Sequence, residues 1–121
     1  MGFHKLEVGK TGEEIATKFL KSRGFQILAR NFRTNFGELD IVAQKENKIS
    51  FVEVKTRIGL TKGKPYEAVN KGKLNRLKKA VNYYLLNNNC KDVKLSFDVV
   101  SIVLNDSLKP EKIDYFQGME I

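Results

Sequence analysis

The segments Gly37-Glu38-Leu39-Asp40-Ile41-Val42-Ala43 and Ile49-Ser50-Phe51-Val52-Glu53-Val54-Lys55-Thr56-Arg57 decide how this chain is read. Both are rich in strand-forming residues, and the polar turn Lys45-Glu46-Asn47-Lys48 joins them. Charge inside an apolar strand is costly and asks for a reason. Side chains alternate along a strand, so Glu38 and Asp40 are expected on one face and Leu39 and Ile41 on the other. By the same alternation Phe51, Glu53 and Lys55 share a face, opposite Val52 and Val54. In a hairpin Asp40 and Glu53 then lie side by side. Two adjacent carboxylates repel unless a cation sits between them. A hard divalent ion, Mg²⁺ or Mn²⁺, suits such oxygen donors. Lys55, about 7 Å past Glu53 along the strand, can orient a metal-bound water or offset charge on a pentavalent phosphate. The same alternation also describes a half-exposed surface strand with an ordinary Glu–Lys pair.

Outward from these strands, the rest of the chain reads as one domain over residues 1–121. Thr11-Gly12-Glu13-Glu14 has the form of a helix start, with Thr11 as N-cap and Glu14 as its capping-box partner. Ile15, Ala16, Phe19 and Leu20 supply the apolar face, and Gly24 the stop. Glu13, at the edge of that face, is placed to reach the sheet and complete a metal shell through a water. A first strand is expected from Phe25 to Phe32. The two charged strands are expected at Glu38–Ala43 and Ile49–Arg57. After the Gly- and Pro-punctuated loop from Ile58 to Pro65, a helix is expected over Asn70–Asn87, with Leu74, Leu77, Val81 and Tyr84 facing the core. Val93–Leu104 and Ile113–Phe116 are the remaining strands. The order is α-β-β-β-α-β-(β), an α/β class.

Of 121 residues, 41% are apolar and 30% charged, which suits an ordinary core and is not the composition of a disordered chain. The net charge of +8 and pI of about 9.6 suit a polyanion. Lys62, Lys64, Lys71, Lys73, Arg76, Lys78 and Lys79 concentrate that charge against the single acid Glu67. This run reads either as a phosphate-contacting surface or as a solvated helix face. With Arg57, the residues Lys62, Lys64, Lys71, Lys73 and Arg76 are the candidate nucleic-acid contacts. The lone Cys90 excludes an intrachain disulfide, and the lone His4 excludes multi-His zinc sites and Ser-His-Asp catalysis within one chain. Gly9-Lys10-Thr11 ends like a phosphate-binding loop, but His4 stands where that motif needs glycine. No signal peptide or membrane span is read, and the expected location is cytoplasmic.

Taken together these residues resemble the PD-(D/E)xK nuclease superfamily, with its restriction-endonuclease-like (tRNA-endonuclease-like) three-layer core, a mixed central sheet flanked by helices. Within it the chain is similar to the YraN family of small bacterial proteins, themselves similar to archaeal Holliday-junction resolvases. The likeness runs through Gly9–Ala16, Arg30-Asn31-Phe32-Arg33, Gly37–Val42, Phe51–Arg57, Glu67-Ala68-Val69 with Lys73, and Phe97-Asp98-Val99-Val100. It implies Asp40 and Glu53 as metal ligands, Lys55 as the catalytic lysine, Glu13 as a helix-borne acid joining them, and Lys73 as a supporting polar residue. It implies a metal-dependent endonuclease acting on DNA, branched or junction-like, and a homodimer by analogy with resolvases, which cut two strands symmetrically. The alternative is a non-catalytic nucleic-acid-binding module that keeps the fold without the chemistry. Three departures stand out: Leu39 rather than proline precedes Asp40, Ser96 replaces the arginine usual before Phe-Asp, where it could alter a substrate or partner contact, and the C-terminal Phe116-Gln117-Gly118-Met119 fits the pattern poorly.

Overall fold

A computed structural model describes residues 5–59 and 71–119. The elements run α1 (Lys5–Ser22), β1 (Gln26–Thr34), β2 (Gly37–Lys45), β3 (Lys48–Ile58), α2 (Lys71–Asn87), β4 (Lys94–Leu104) and β5 (Pro110–Phe116). The five strands form one mixed sheet in chain order. Neighbours are antiparallel except β3 and β4, which run parallel from Lys48↔Lys94 to Ile58↔Leu104. A parallel pair needs a crossover connection, and the stretch containing α2 supplies it.

The helices cover opposite faces of the sheet. Ala16 and Leu20 of α1 pack with Ile41, Ala43, Val52, Val100 and Ile102. Ala80, Val81 and Tyr84 of α2 pack with Leu39, Val42, Phe51, Phe97 and Val99. The central strands are therefore apolar on both faces, which is why β4 reads as a nearly continuous run of Val and Ile. Tyr84 is wedged edge-on between Phe32 and Phe51, with ring centroids 5.1 and 5.9 Å away.

The expected strands are all present, with ends shifted by a few residues. The expected helix start is not. The first helix begins at Lys5, so Thr11 is not its N-cap and Glu14 is not a capping partner. Val8 extends the apolar stripe by two turns and packs on the core, which carries the helix past the apparent cap. Gly12 is buried against β3, where a Cβ would run into Thr56 Oγ1. Gly9-Lys10-Thr11 lies inside this helix, a conformation no phosphate-binding loop adopts. The helix closes as expected. Gly24 takes φ +90°, and Phe25 N–H reaches Leu20 O at 3.1 Å while Gly24 N–H reaches Lys21 O at 3.0 Å. Ser96 is turned inward: its hydroxyl donates to Asp98 Oδ1 at 2.6 Å. Fully buried Asp98 also accepts from Tyr115 Oη at 2.6 Å and Gly118 N at 3.1 Å. Among the described residues no helix is long and apolar enough to cross a membrane.

Candidate active site

The β2–β3 hairpin opens into a fork at Asp40. Its ladder runs from Lys45↔Lys48 to Ile41↔Val52 and stops there. One step further, Asp40 Oδ2 accepts the Val54 N–H at 2.9 Å, so a side chain does what the partner strand's carbonyl would have done. Beyond the fork, among the described strands, β3 pairs with β4 alone, and its residues change from buried at Ile49–Val52 to half-buried at Glu53–Ile58. The charged stretch Glu53-Val54-Lys55-Thr56-Arg57 thus occupies the part of β3 that β2 has released. Here Lys55 Nζ lies 3.1 Å from Glu53 Oε1.

Strict alternation fails at this point. Leu39 and Ile41, expected on one face, belong to opposite core layers, Leu39 under α2 and Ile41 under α1. The cause lies across the ladder on β1. Arg30 pairs with Ile41 and Phe32 with Leu39, leaving Asn31 opposite Asp40. Asn31 has φ 51°, a left-handed conformation that asparagine tolerates better than most residues. The kink lets consecutive Arg30 and Asn31 both turn toward α1, and the facing strand changes sides with it. Asp40 therefore projects at the mouth of the fork rather than flat on one face.

Burial pushes the Asp40 carboxyl up to about 6, against the Val54 hydrogen bond, and the charges of Glu53, Glu13 and Glu38 push it further the same way. The group is short of positive charge, and a cation beside it would relieve that. Glu13 approaches from α1 but is already engaged: its Oε1 accepts from Asn31 Nδ2 at 2.7 Å and from Arg30 Nε at 3.4 Å. Arg30 also donates from Nη1 to Glu14 Oε1 at 3.0 Å, and that bond holds the Glu14 carboxyl below its usual range. The Arg30–Asn31 clamp on Glu13 was not foreseen from the residues alone. The available signal was an asparagine, a poor strand former, in mid-strand opposite a charged residue.

The fold thus brings Asp40, Glu53 and Lys55 to one fork with Glu13 beside them. Among the described residues no three acidic, histidine or cysteine side chains are gathered closely enough to form a metal cage. The donors fit a divalent ion in another way. Mg²⁺ is commonly held by one or two carboxylates, with waters and substrate phosphate completing its shell, and Asp40 with Glu53 supplies such a pair. Of the basic candidates, Arg57 is half-buried on β3 in register with Val103. Arg76 is exposed on α2, where Lys78 and Lys79 are exposed as well. Lys71 and Lys73 fall at the start of α2, but their side chains, like all of Lys62 and Lys64, lie outside the described residues.

A cavity of about 180 Å³ opens between α2 and the fork. Phe51, Phe97, Leu39 and Ala80 form its buried wall, and Asp40, Glu53, Arg76 and Phe36 stand among its more exposed lining.

Residues 12–102 match the family described as "Uncharacterised protein family UPF0102". A UPF0102 protein of Dictyoglomus turgidum is 46% identical over 99 residues, 82% of this chain and 84% of that one. One from Syntrophomonas wolfei is 48% identical over 100 residues, covering 83% and 87%. A third, from Caldicellulosiruptor saccharolyticus, is 44% identical over 111 residues and 92% of each chain.

Proposed function

The chain belongs to the uncharacterised protein family UPF0102, the YraN family, and we propose that it is a metal-dependent nuclease with a restriction-endonuclease-like core, hydrolysing phosphodiester bonds in DNA. The observation that carries this reading is the fork. Asp40, bonded to Val54 N–H where the β2–β3 ladder ends, stands beside the Glu53–Lys55 pair on the released part of β3. Clustered acids repel phosphate, so a surface made only to bind nucleic acid has no use for them.

Asp40 and Glu53 are the residues that would hold a divalent cation, with Glu13 joining through a water from its clamp. When bound, such an ion neutralises the scissile phosphate and lowers the pKa of a bound water. The chain's own groups do the rest. Lys55 presents an ammonium where negative charge grows on the phosphate oxygens as water adds to phosphorus and the bond to the leaving oxygen breaks. The Val54 N–H fixes the orientation of the Asp40 carboxylate. The basic face of α2, which carries no acidic residue, holds the flanking backbone.

The test is incubation with branched, duplex and single-stranded DNA, and with RNA, in Mg²⁺ or Mn²⁺. Cleavage is expected, with a loss of at least a hundredfold in Asp40→Asn and in Lys55→Ala, the usual scale for removing a stabilising group. Activity that survives both substitutions, or none under any condition, rejects the mechanism. A second reading, a non-catalytic nucleic-acid-binding module, draws on the basic face of α2, where Arg76, Lys78 and Lys79 are exposed. It predicts salt-sensitive binding without metal dependence or cleavage.

A further inference from the structure

We propose that the cavity between α2 and the fork receives a single unpaired nucleobase next to the scissile phosphate, so that the preferred substrate has a base free of its duplex partner. The proposal rests on the hydrolytic reading for the position of that phosphate. It stands on the cavity itself for the base.

Size limits the occupant first. An apolar cavity of about 150 Å³ is enough for a benzene ring, and this one measures about 180 Å³. One planar heterocycle fits, and a base pair does not. Chemistry limits it next. The wall is apolar and partly aromatic, with Phe51, Phe97 and Leu39 under 8% exposed. The lining also includes Glu38, Asp40, Glu53 and Arg76. Three acidic residues disfavour a phosphate inside the cavity and offer acceptors to the exocyclic amines of a neutral base.

Phe36 strengthens the assignment. It sits in the turn between β1 and β2, held there because its own N–H and that of Gly37 both donate to Thr34 Oγ1, at 3.0 and 3.1 Å. Phe36 is 40% exposed, with Lys79 Nζ 5.7 Å from its ring centroid. An exposed ring beside a lysine, at the edge of an apolar slot, is how proteins stack bases of unpaired strands while tracking the backbone. Asp40 and Glu53 belong both to the cavity lining and to the carboxylate pair, so a phosphate at that pair leaves its own or the adjacent base within reach. A base still stacked in a duplex is shielded by its neighbours and its partner, and the enzymes that read such bases in a pocket act on unpaired strands or extrude the base first.

The test uses labelled branched and single-stranded oligonucleotides, DNA and RNA, in EDTA, with binding read by fluorescence anisotropy. An abasic residue is moved through the unpaired positions one at a time. The expected result is one position at which losing the base weakens binding about tenfold, the range for one stacked base, with little change elsewhere. Ala80→Leu, which fills the cavity from its wall, should abolish that sensitivity and keep the salt-dependent affinity. Leu77→Phe is the second filling variant, and circular dichroism reports whether each is folded. Uniform tolerance of abasic residues, or sensitivity that persists in folded filled-cavity variants, overturns the proposal. Cleavage in Mg²⁺ without any base sensitivity removes the pocket and leaves the nuclease. Base sensitivity without cleavage upholds the pocket and removes the hydrolytic reading.

Discussion

Ionising Asp40 costs the folded protein stability, because burial and three nearby carboxylates raise its pKa from 3.8 to about 6. The direction is opposite to that of a salt-bridged acid. Well below pH 3.8 the group is protonated in both folded and unfolded chains and contributes nothing. Between about 4 and 6 the folded state binds the proton more tightly, so stability falls as pH rises. Above about 6 the full cost persists, on the order of 3 kcal/mol, since each tenfold difference in proton affinity is worth about 1.4 kcal/mol. Asparagine keeps an oxygen for the Val54 N–H and carries no charge. Asp40→Asn should therefore raise the melting temperature by several degrees at about pH 8 and leave it nearly unchanged at about pH 3. An equal shift at both pH values would mean that charge is not what Asp40 costs the fold. Across the ladder, Asn31 bears a different strain. Its φ of 51° costs an ordinary L-residue about 1–2 kcal/mol. Asn31→Ala and Asn31→Gly both lose the bond to Glu13, so urea titrations comparing them isolate the backbone cost. The alanine variant should be the less stable by about 1 kcal/mol. The candidate acids on β2 and β3 and Lys55 stood out in the sequence because charge in an apolar strand is conspicuous, whereas helix-borne Glu13 was singled out mainly by the family resemblance. The shared face of Glu53 and Lys55 was legible too, as their 3.1 Å ion pair shows; the face of Leu39 was not, because alternation assumes regular backbone and one left-handed asparagine on the neighbouring strand interrupts it.

At the scale of the element, α1 shows why some boundaries resist reading. Thr11-Gly12-Glu13-Glu14 carries the chemistry of a helix start, yet Gly12 serves packing instead. Its missing side chain lets α1 press against Thr56 of β3, and that approach sets where Glu13 meets its clamp. Whether a glycine stops a helix or seats it depends on what lies opposite, which local sequence does not contain. Alanine at this position has about 1 kcal/mol better helix propensity. Even so, Gly12→Ala should lower stability in urea titration by roughly 1–3 kcal/mol, because the added methyl must push α1 off the sheet. Stabilisation instead would show that the helix has room to move. The strands, by contrast, followed from period-2 alternation and β-branched runs. Their identity was clear, and only their ends moved.

For the whole molecule, the two layers of core and the mixed sheet follow from the order of elements, since a strand pair with a helix between its members favours parallel alignment. What the order cannot convey is the fork, because it depends on where β2 and β3 stop pairing. A metal held at the fork would bind the folded state alone: Asp40 is on β2, Glu53 on β3, and they meet only once the hairpin is formed. An ion that binds the native but not the unfolded chain stabilises it by mass action, about 1.4 kcal/mol at ten times its dissociation constant. Millimolar Mg²⁺ should therefore raise the melting temperature of the wild-type protein at pH 8. At pH 5, where Asp40 with its pKa of about 6 is mostly protonated, the rise should largely vanish. Asp40→Asn should abolish it at both pH values, while Lys78→Gln, an exposed change on α2 outside the fork, should leave it intact. Differential scanning fluorimetry across these conditions separates a carboxylate-held ion from general salt screening, which would shift every sample alike. A Mg²⁺ response undiminished in Asp40→Asn would place the ion elsewhere, and the nuclease reading would lose its cation.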